Sequence, residues 1–61
     1  MKYSEFHRTV RRNGWVHIRT RGSHYIYKKG DQIYSVPNHG AKEMPERTRL
    51  RAIKGMNLEM I

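Results

Sequence analysis

Cysteine is absent from this 61-residue sequence, and long apolar runs and acidic residues are scarce. Without cysteine the chain can form neither a disulfide framework nor a cysteine-based zinc site. No segment approaches the roughly 20 consecutive apolar residues that a membrane-spanning helix needs. The first twelve residues also lack the apolar region of a signal peptide. We therefore expect a cytoplasmic protein that has no membrane partner.

The acidic residues number five and are scattered along the chain, which gives little support to acid–base chemistry by paired carboxylates. Four histidines are present, but none stands at a metal-binding spacing such as HExxH from another ligand. Neither a GxSxG nucleophile elbow nor a phosphate-binding glycine loop occurs. We expect no metal site and no cofactor. The four histidines are His7, His17, His24 and His39.

Basic residues are abundant, with 13 Lys and Arg giving a formal net charge of +8. A small protein with this charge gains much of its affinity for nucleic acid from the release of counterions. Membrane surfaces and acidic proteins would also attract it, but neither predicted helix has the clean apolar face that membrane binding requires. Because so short a chain buries only a thin core, we expect one domain over residues 1–61.

The residue pattern predicts the order helix, strand, strand, strand, helix. Ser4 is a candidate N-cap and Gly14 a natural stop for the first helix. Alternating apolar and polar residues follow in three short segments separated by glycine-containing turns. Pro45 suits the start of the last helix, and Gly55 is expected to end it. The predicted elements are a helix over about residues 5–13, strands over 15–20, 24–28 and 32–36, and a helix over about 45–54.

Two close turns make the sheet an antiparallel meander, and helices at both ends of the chain then cover one of its faces. The predicted fold is therefore α+β, with two helices on one face of a three-stranded antiparallel sheet. Either set of alternating side chains could face the helices. We favour the orientation that turns most tyrosines inward, whereas the alternative buries Ile26 and Ile33 and exposes the tyrosines. In the favoured orientation the inward residues are Val16, Ile18, Tyr25, Tyr27, Tyr34 and Val36, and the open face carries His17, Arg19, His24, Ile26, Lys28, Ile33 and Ser35.

Histidine with arginine and lysine is the smallest set of groups that cleaves RNA without a metal. A neutral imidazole can take the proton of a ribose 2′-hydroxyl, and a cation stabilises the charge that develops on the phosphate. His24, between a Gly-Ser turn and a basic strand, is the candidate. From composition alone, however, a histidine at a strand start is more often a surface or turn residue. His7 is expected to lack a partner in its helix. The tyrosines are expected in the core, and Trp15 is expected in the core or at an edge.

Several motifs together resemble the HicA family of toxin mRNA interferases over nearly the whole chain. They are a Gly-Trp pair after the first helix, a GSH turn, and a VP-x-H segment. This segment is followed by a lysine next to an acidic residue and then by the last helix. The residues are Gly14, Trp15, Gly22, Ser23, His24, Val36, Pro37, His39, Lys42, Glu43 and Pro45. Arg49 departs from the family pattern, since an aliphatic residue is common there.

The resemblance implies a fold like that of double-stranded-RNA-binding domains and a metal-independent endoribonuclease that cuts mRNA and inhibits translation. It implies that His24 is catalytic and that a HicB-type antitoxin covers the His24 face. It assigns no second proton-transfer group. The candidate RNA-binding residues are Arg19, Arg21, Lys28, Lys29, His39 and Lys42.

Two other functions stay open on the sequence. A non-catalytic RNA-binding module would use the same fold and charge, with His24 as a phosphate contact. A small ribosome-associated or DNA-binding protein is the third alternative, and DNA binding would need a helix that can read a major groove.

Overall fold

The computed structural model describes residues 1–59 and has the predicted order of elements. The elements are α1 (Tyr3–Arg12), β1 (Val16–Arg21), β2 (His24–Lys29), β3 (Gln32–Pro37) and α2 (Glu46–Met56). Within residues 1–59, no helix is long and apolar enough to cross a membrane.

The three strands form one antiparallel sheet in the order β1-β2-β3. Two-residue turns join neighbouring strands, so the register of each pair is set by its turn. Gly22 begins the first turn at a φ of 60°, in the left-handed region that favours glycine. This turn ends at His24, which therefore starts β2 and pairs with Arg21.

The core lies between the two helices and one face of the sheet. His7 of α1 contacts Tyr27, and Gly55 of α2 lies against Tyr34, so both helices cover the same face. The α+β fold with two helices on one sheet face is thus confirmed, as is the inward orientation of β2 and β3. The buried apolar residues are Tyr3, Phe6, Val10, Trp15, Tyr27, Val36, Met44, Ala52, Met56 and Leu58, and Tyr25, Tyr34 and Ile53 pack against them.

The predicted orientation of β1 is wrong in its first half. Val16 and Ile18 were expected inside, but their exposed fractions are 61% and 46%. A register shift between His17 and Arg19 explains the difference, because a bulge adds one residue to one strand and reverses the alternation on one side of it. Val16 therefore pairs with Lys28 and lies on the open face instead of the predicted inner face. Arg19, on the other side of the bulge, lies on the open face as predicted.

His17 consequently lies on the helix side of the sheet, where sequence alternation did not place it. It pairs with Tyr27, and its ring stacks on the ring of Tyr25 with centroids 4.2 Å apart and planes 5° apart. Its Nε2 is 2.8 Å from the hydroxyl of Thr20, across the bulge. The bulge is thus held by a stacked and hydrogen-bonded imidazole.

The first helix begins two residues earlier than predicted. Lys2 is its N-cap residue, and the side chain of Glu5 accepts a hydrogen bond of 2.9 Å from the Lys2 backbone N–H. Glu5 satisfies a backbone donor at the helix end, which is the glutamate half of a capping box. Ser4 lies inside the helix, so its assignment as the N-cap was wrong.

The second helix runs past the glycine that was expected to end it. Gly55 lies inside α2, and Asn57 ends the helix with a φ of 52°. A Cβ atom on Gly55 would lie 2.6 Å from Cε2 of Tyr34, well inside van der Waals contact. The glycine is there because α2 packs directly on the Tyr34 ring. Within this helix Ala52 is buried, whereas Leu50 is 53% exposed.

Candidate active site

His24 lies at the edge of the open face where all three strands end. It is exposed, and its cross-strand neighbours are Arg21 on β1 and Pro37 on β3. Directly paired residues in an antiparallel sheet have Cβ atoms about 5 Å apart, so the Arg21 side chain can reach whatever His24 contacts.

Two further side chains approach His24 diagonally across the strands. Arg19 pairs with Ile26, and so does Ser35 from the other side. The Ser35 hydroxyl is 3.5 Å from Nδ1 of His24, at the outer limit of a hydrogen bond. Nε2 of His24 makes no hydrogen bond among residues 1–59, which leaves this atom available to a ligand.

The open face combines positive charge with exposed aliphatic side chains. None of the five acidic residues lies in a strand, whereas Arg19, Arg21 and Lys28 all lie on this face. Lys28 is four residues along β2 from His24, or about 13 Å. Val16 and Ile33 flank Lys28, and Ile33 is 62% exposed. An extended anion can therefore contact cations along the face while its apolar parts cover the aliphatic groups.

The loop after β3 brings the predicted His39 and Lys42 to the same end of the sheet as His24. The Asn38 N–H donates to the Ser23 carbonyl at 2.7 Å, which joins this loop to the turn before His24. The backbone carbonyl of Lys42 accepts a hydrogen bond of 3.1 Å from the N–H of Tyr3. His39 meets the ring of Tyr3 edge to face at 4.9 Å. Both predicted residues remain exposed there.

Lys29 stands apart from the other predicted RNA-binding residues. Strand alternation puts it on the face opposite Lys28, and its Nζ donates a hydrogen bond of 2.7 Å to the carbonyl oxygen of Asn13. In this position the ammonium group caps the end of α1, where cations interact favourably with the helix dipole. A role for Lys29 in RNA binding stays a prediction.

Behind the site, on the helix side, lies a buried histidine that was expected to have no partner. His7 is 1% exposed and contacts two groups. Its Nε2 is 2.9 Å from the carbonyl oxygen of Pro37, and its Nδ1 is 2.5 Å from the hydroxyl of Tyr27. A carbonyl only accepts, so Nε2 carries the proton and Nδ1 accepts from the tyrosine. The expectation that His7 has no partner was wrong, because the sheet supplies both partners.

Burial lowers the pKa of His7, and the hydrogen bond to the Pro37 carbonyl opposes this in part. The positive charge of Arg11 and the nearby His17 lower it further. Burial raises the pKa of Tyr27, because burial disfavours the charged form of either group. Both groups are therefore neutral at pH 7, in agreement with the hydrogen-bond assignment.

Sequence reasoning placed Ser35 on the open face with His24 but did not identify the two side chains as neighbours. The two-residue turn after Lys29 fixes the pairing of β2 with β3, and counting back from it sets Ser35 opposite Ile26. Counting residues from this turn could therefore have identified Ser35 as a neighbour of His24 from the sequence alone. No group of three or more His, Asp or Glu side chains within residues 1–59 could hold a metal ion.

Comparison with known proteins identifies relatives over almost the whole chain. The family described as HicA toxin of bacterial toxin-antitoxin matches residues 3–58. A protein of Pseudomonas fluorescens (strain Pf0-1) named probable mRNA interferase HicA is 37% identical over 59 residues, covering 97% of this chain and 98% of that protein. No solved structure gives a significant match, so the likeness to double-stranded-RNA-binding domains stays a prediction.

Proposed function

Because this chain belongs to the HicA toxin family, we propose that it is an endoribonuclease that cuts mRNA without a metal ion, using His24 as its acid–base group. The observation that carries the proposal is the exposed His24, with Nε2 free among the described residues, paired with Arg21 on a sheet face that has no acidic residue. We expect the protein to act in the cytoplasm, where mRNA is translated.

The substrate supplies its own nucleophile in this reaction. Nε2 of His24 takes the proton of a ribose 2′-hydroxyl, and the 2′-oxygen attacks the adjacent phosphorus. The bond from phosphorus to the 5′-oxygen breaks, and that oxygen takes up a proton as it leaves. The products are a 2′,3′-cyclic phosphate and a 5′-hydroxyl. A positioned acid or base of this kind contributes roughly 10² to 10⁴ to the rate.

The arginines next to His24 are suited to the phosphate. Arg21 is its direct cross-strand neighbour and Arg19 a diagonal one. A guanidinium group can donate two parallel hydrogen bonds to phosphate oxygens and stabilise the charge that develops on them. Lys28, His39 and Lys42 would contact the RNA further from the scissile bond.

We further propose that a HicB-type antitoxin inhibits the toxin by covering the His24 face. On this face the exposed side chains of Val16 and Ile33 lie beside Lys28 and form an apolar patch among basic residues. A partner with acidic side chains would associate rapidly with such a face and would exclude RNA from it.

The test is incubation of the purified protein, in EDTA, with labelled single-stranded RNA and with a DNA copy of the same sequence. His24→Ala is compared with wild type, and His17→Ala is the matched control because it removes an exposed imidazole from the other face. We expect wild type and His17→Ala to cut RNA to cyclic-phosphate ends and leave DNA intact. His24→Ala should bind RNA with similar affinity but cut it at least about 100-fold more slowly.

Loss of cleavage in EDTA that returns with a divalent metal would refute the metal-free mechanism. Binding without cleavage by wild type, with ribosome-bound mRNA included, would instead indicate the non-catalytic RNA-binding module. Equal activity of the His24→Ala variant would remove His24 from the chemistry.

A further inference from the structure

A groove of about 230 Å³ is lined by residues of α2 and of β3, which is an edge strand of the sheet. Its lining is partly polar: Ser35 comes from β3, and Thr48 and Arg51 come from α2. Buried Val36 and Ala52 also line it, so the groove has a rigid apolar part beside its hydroxyl and guanidinium groups. Hydroxyl and guanidinium donors in one cleft are typical contacts for phosphate oxygens.

The groove begins at the candidate active site. Ser35, whose hydroxyl is 3.5 Å from the His24 ring, is also one of its lining residues. Pro37, the strand partner of His24, is another. A chain that passes His24 and crosses the edge of β3 therefore enters this groove next.

Charge on α2 favours a polyanion in that position. Arg49 is paired with Glu46, but Arg51 forms no ion pair among the described residues. Arg47 and Lys54 stand four residues before and three residues after Arg51, so all three cations share one exposed side of the helix. The acidic residue nearest in α2, Glu46, is already occupied by Arg49.

We propose that the groove between β3 and α2 binds a phosphate of the RNA strand beside the scissile bond, with Arg51 as its cation and Thr48 as a hydroxyl donor. The inference rests on the proposed function, because it extends the same RNA path from His24. It adds a binding subsite on the α2 side of the molecule, away from the strand cations of the open face.

Binding is measured first, in the His24→Ala background so that the RNA stays intact. The probe is a single-stranded RNA of about ten nucleotides, within the usual range for one small domain. We expect Arg51→Ala to weaken binding about tenfold and to reduce the slope of log affinity against log salt by roughly 0.7, the value for one phosphate contact on a single strand. Arg8→Ala, which removes an exposed arginine from α1, is the matched control.

Cleavage gives a second and independent measurement. With His24 intact, Arg51→Ala should reduce kcat/KM for the longer RNA about tenfold and leave cleavage of a dinucleotide unchanged, because a dinucleotide has no phosphate that reaches the groove. Thr48→Val should act in the same direction with a smaller effect.

Three results would overturn the inference. The first is an equal effect of Arg51→Ala and Arg8→Ala on RNA affinity and on the salt slope. The second is an equal loss of cleavage of the dinucleotide and the long RNA in Arg51→Ala, which would mean that Arg51 acts at the reacting phosphate or on the fold. The third is unchanged RNA binding with weaker antitoxin binding in Arg51→Ala, which would make the groove a protein interface. If wild type cuts no RNA at all, the proposed function fails, and the binding measurement still decides whether RNA occupies the groove.

Discussion

His7 donates a hydrogen bond of 2.9 Å from Nε2 to the carbonyl oxygen of Pro37, the residue that pairs with His24. The bond joins α1 to the end of β3 on the buried side of the sheet. His24 lies across the strand pair, on the exposed side. Two histidines thus lie at the same end of the sheet on opposite faces. His7 is neutral and structural, and His24 is free to contact a ligand.

The burial of His7 predicts that stability depends on pH. Its pKa is lowered in the folded state, while the unfolded chain has the ordinary value near 6.5. Below pH 6.5 the unfolded state therefore binds more protons than the native state, so the free energy of unfolding falls as the pH falls. Denaturant unfolding between about pH 8 and about pH 5 should show this loss, beginning near pH 6.5.

His7→Gln is the matched control for this pH dependence. Glutamine can still donate to the Pro37 carbonyl and cannot titrate, so its stability should change less over the same interval, whatever its absolute value. A variant that loses as much stability as wild type on acidification would assign the effect to other groups.

Gly55→Ala should destabilise the protein even though it replaces glycine by the best helix former. Helix propensity alone predicts a gain of up to about 1 kcal/mol. The new Cβ would lie 2.6 Å from Cε2 and 2.9 Å from the hydroxyl of Tyr34, so α2 or the ring must move. Overpacking of this kind costs about 1 to 3 kcal/mol, measurable by denaturant unfolding.

The Tyr34→Val background distinguishes this contact from other effects of the alanine. Once the ring is absent, Gly55→Ala should become neutral or stabilising, which appears as a coupling energy in a double-mutant cycle. If Gly55→Ala stabilises the protein with Tyr34 present, the close packing of α2 on β3 is not as described.

The orientation of β3 predicts a large loss of stability for one substitution to threonine and almost none for another. Val36→Thr introduces a hydroxyl into the core, where an unsatisfied polar group costs about 1 to 3 kcal/mol. Ile33→Thr changes a side chain that is 62% exposed and should alter the free energy of unfolding by no more than about 0.5 kcal/mol. Thermal unfolding of the two variants compares them directly, and equal destabilisation would contradict the assignment of the faces.

The sequence by itself determined the order of elements, the positions of the two strand turns and the inward face of β2 and β3. These follow from local rules: glycine at a turn sets where a strand ends, and alternation sets which residues share a face. The same rules put His24 at the start of β2 and Arg19 with it on the open face. The family motifs added the reason to regard that histidine as catalytic.

The tertiary structure alone decided where alternation breaks and which residues meet across elements. The bulge in β1 reversed Val16 and His17, because pairing with a strand of fixed register and stacking on Tyr25 outweighed the local pattern. His7 found its partners in residues 20 and 30 positions away, and Gly55 was required by the ring of Tyr34. Contacts between residues distant in the chain leave no periodic trace in the sequence, so only the packed fold reveals them.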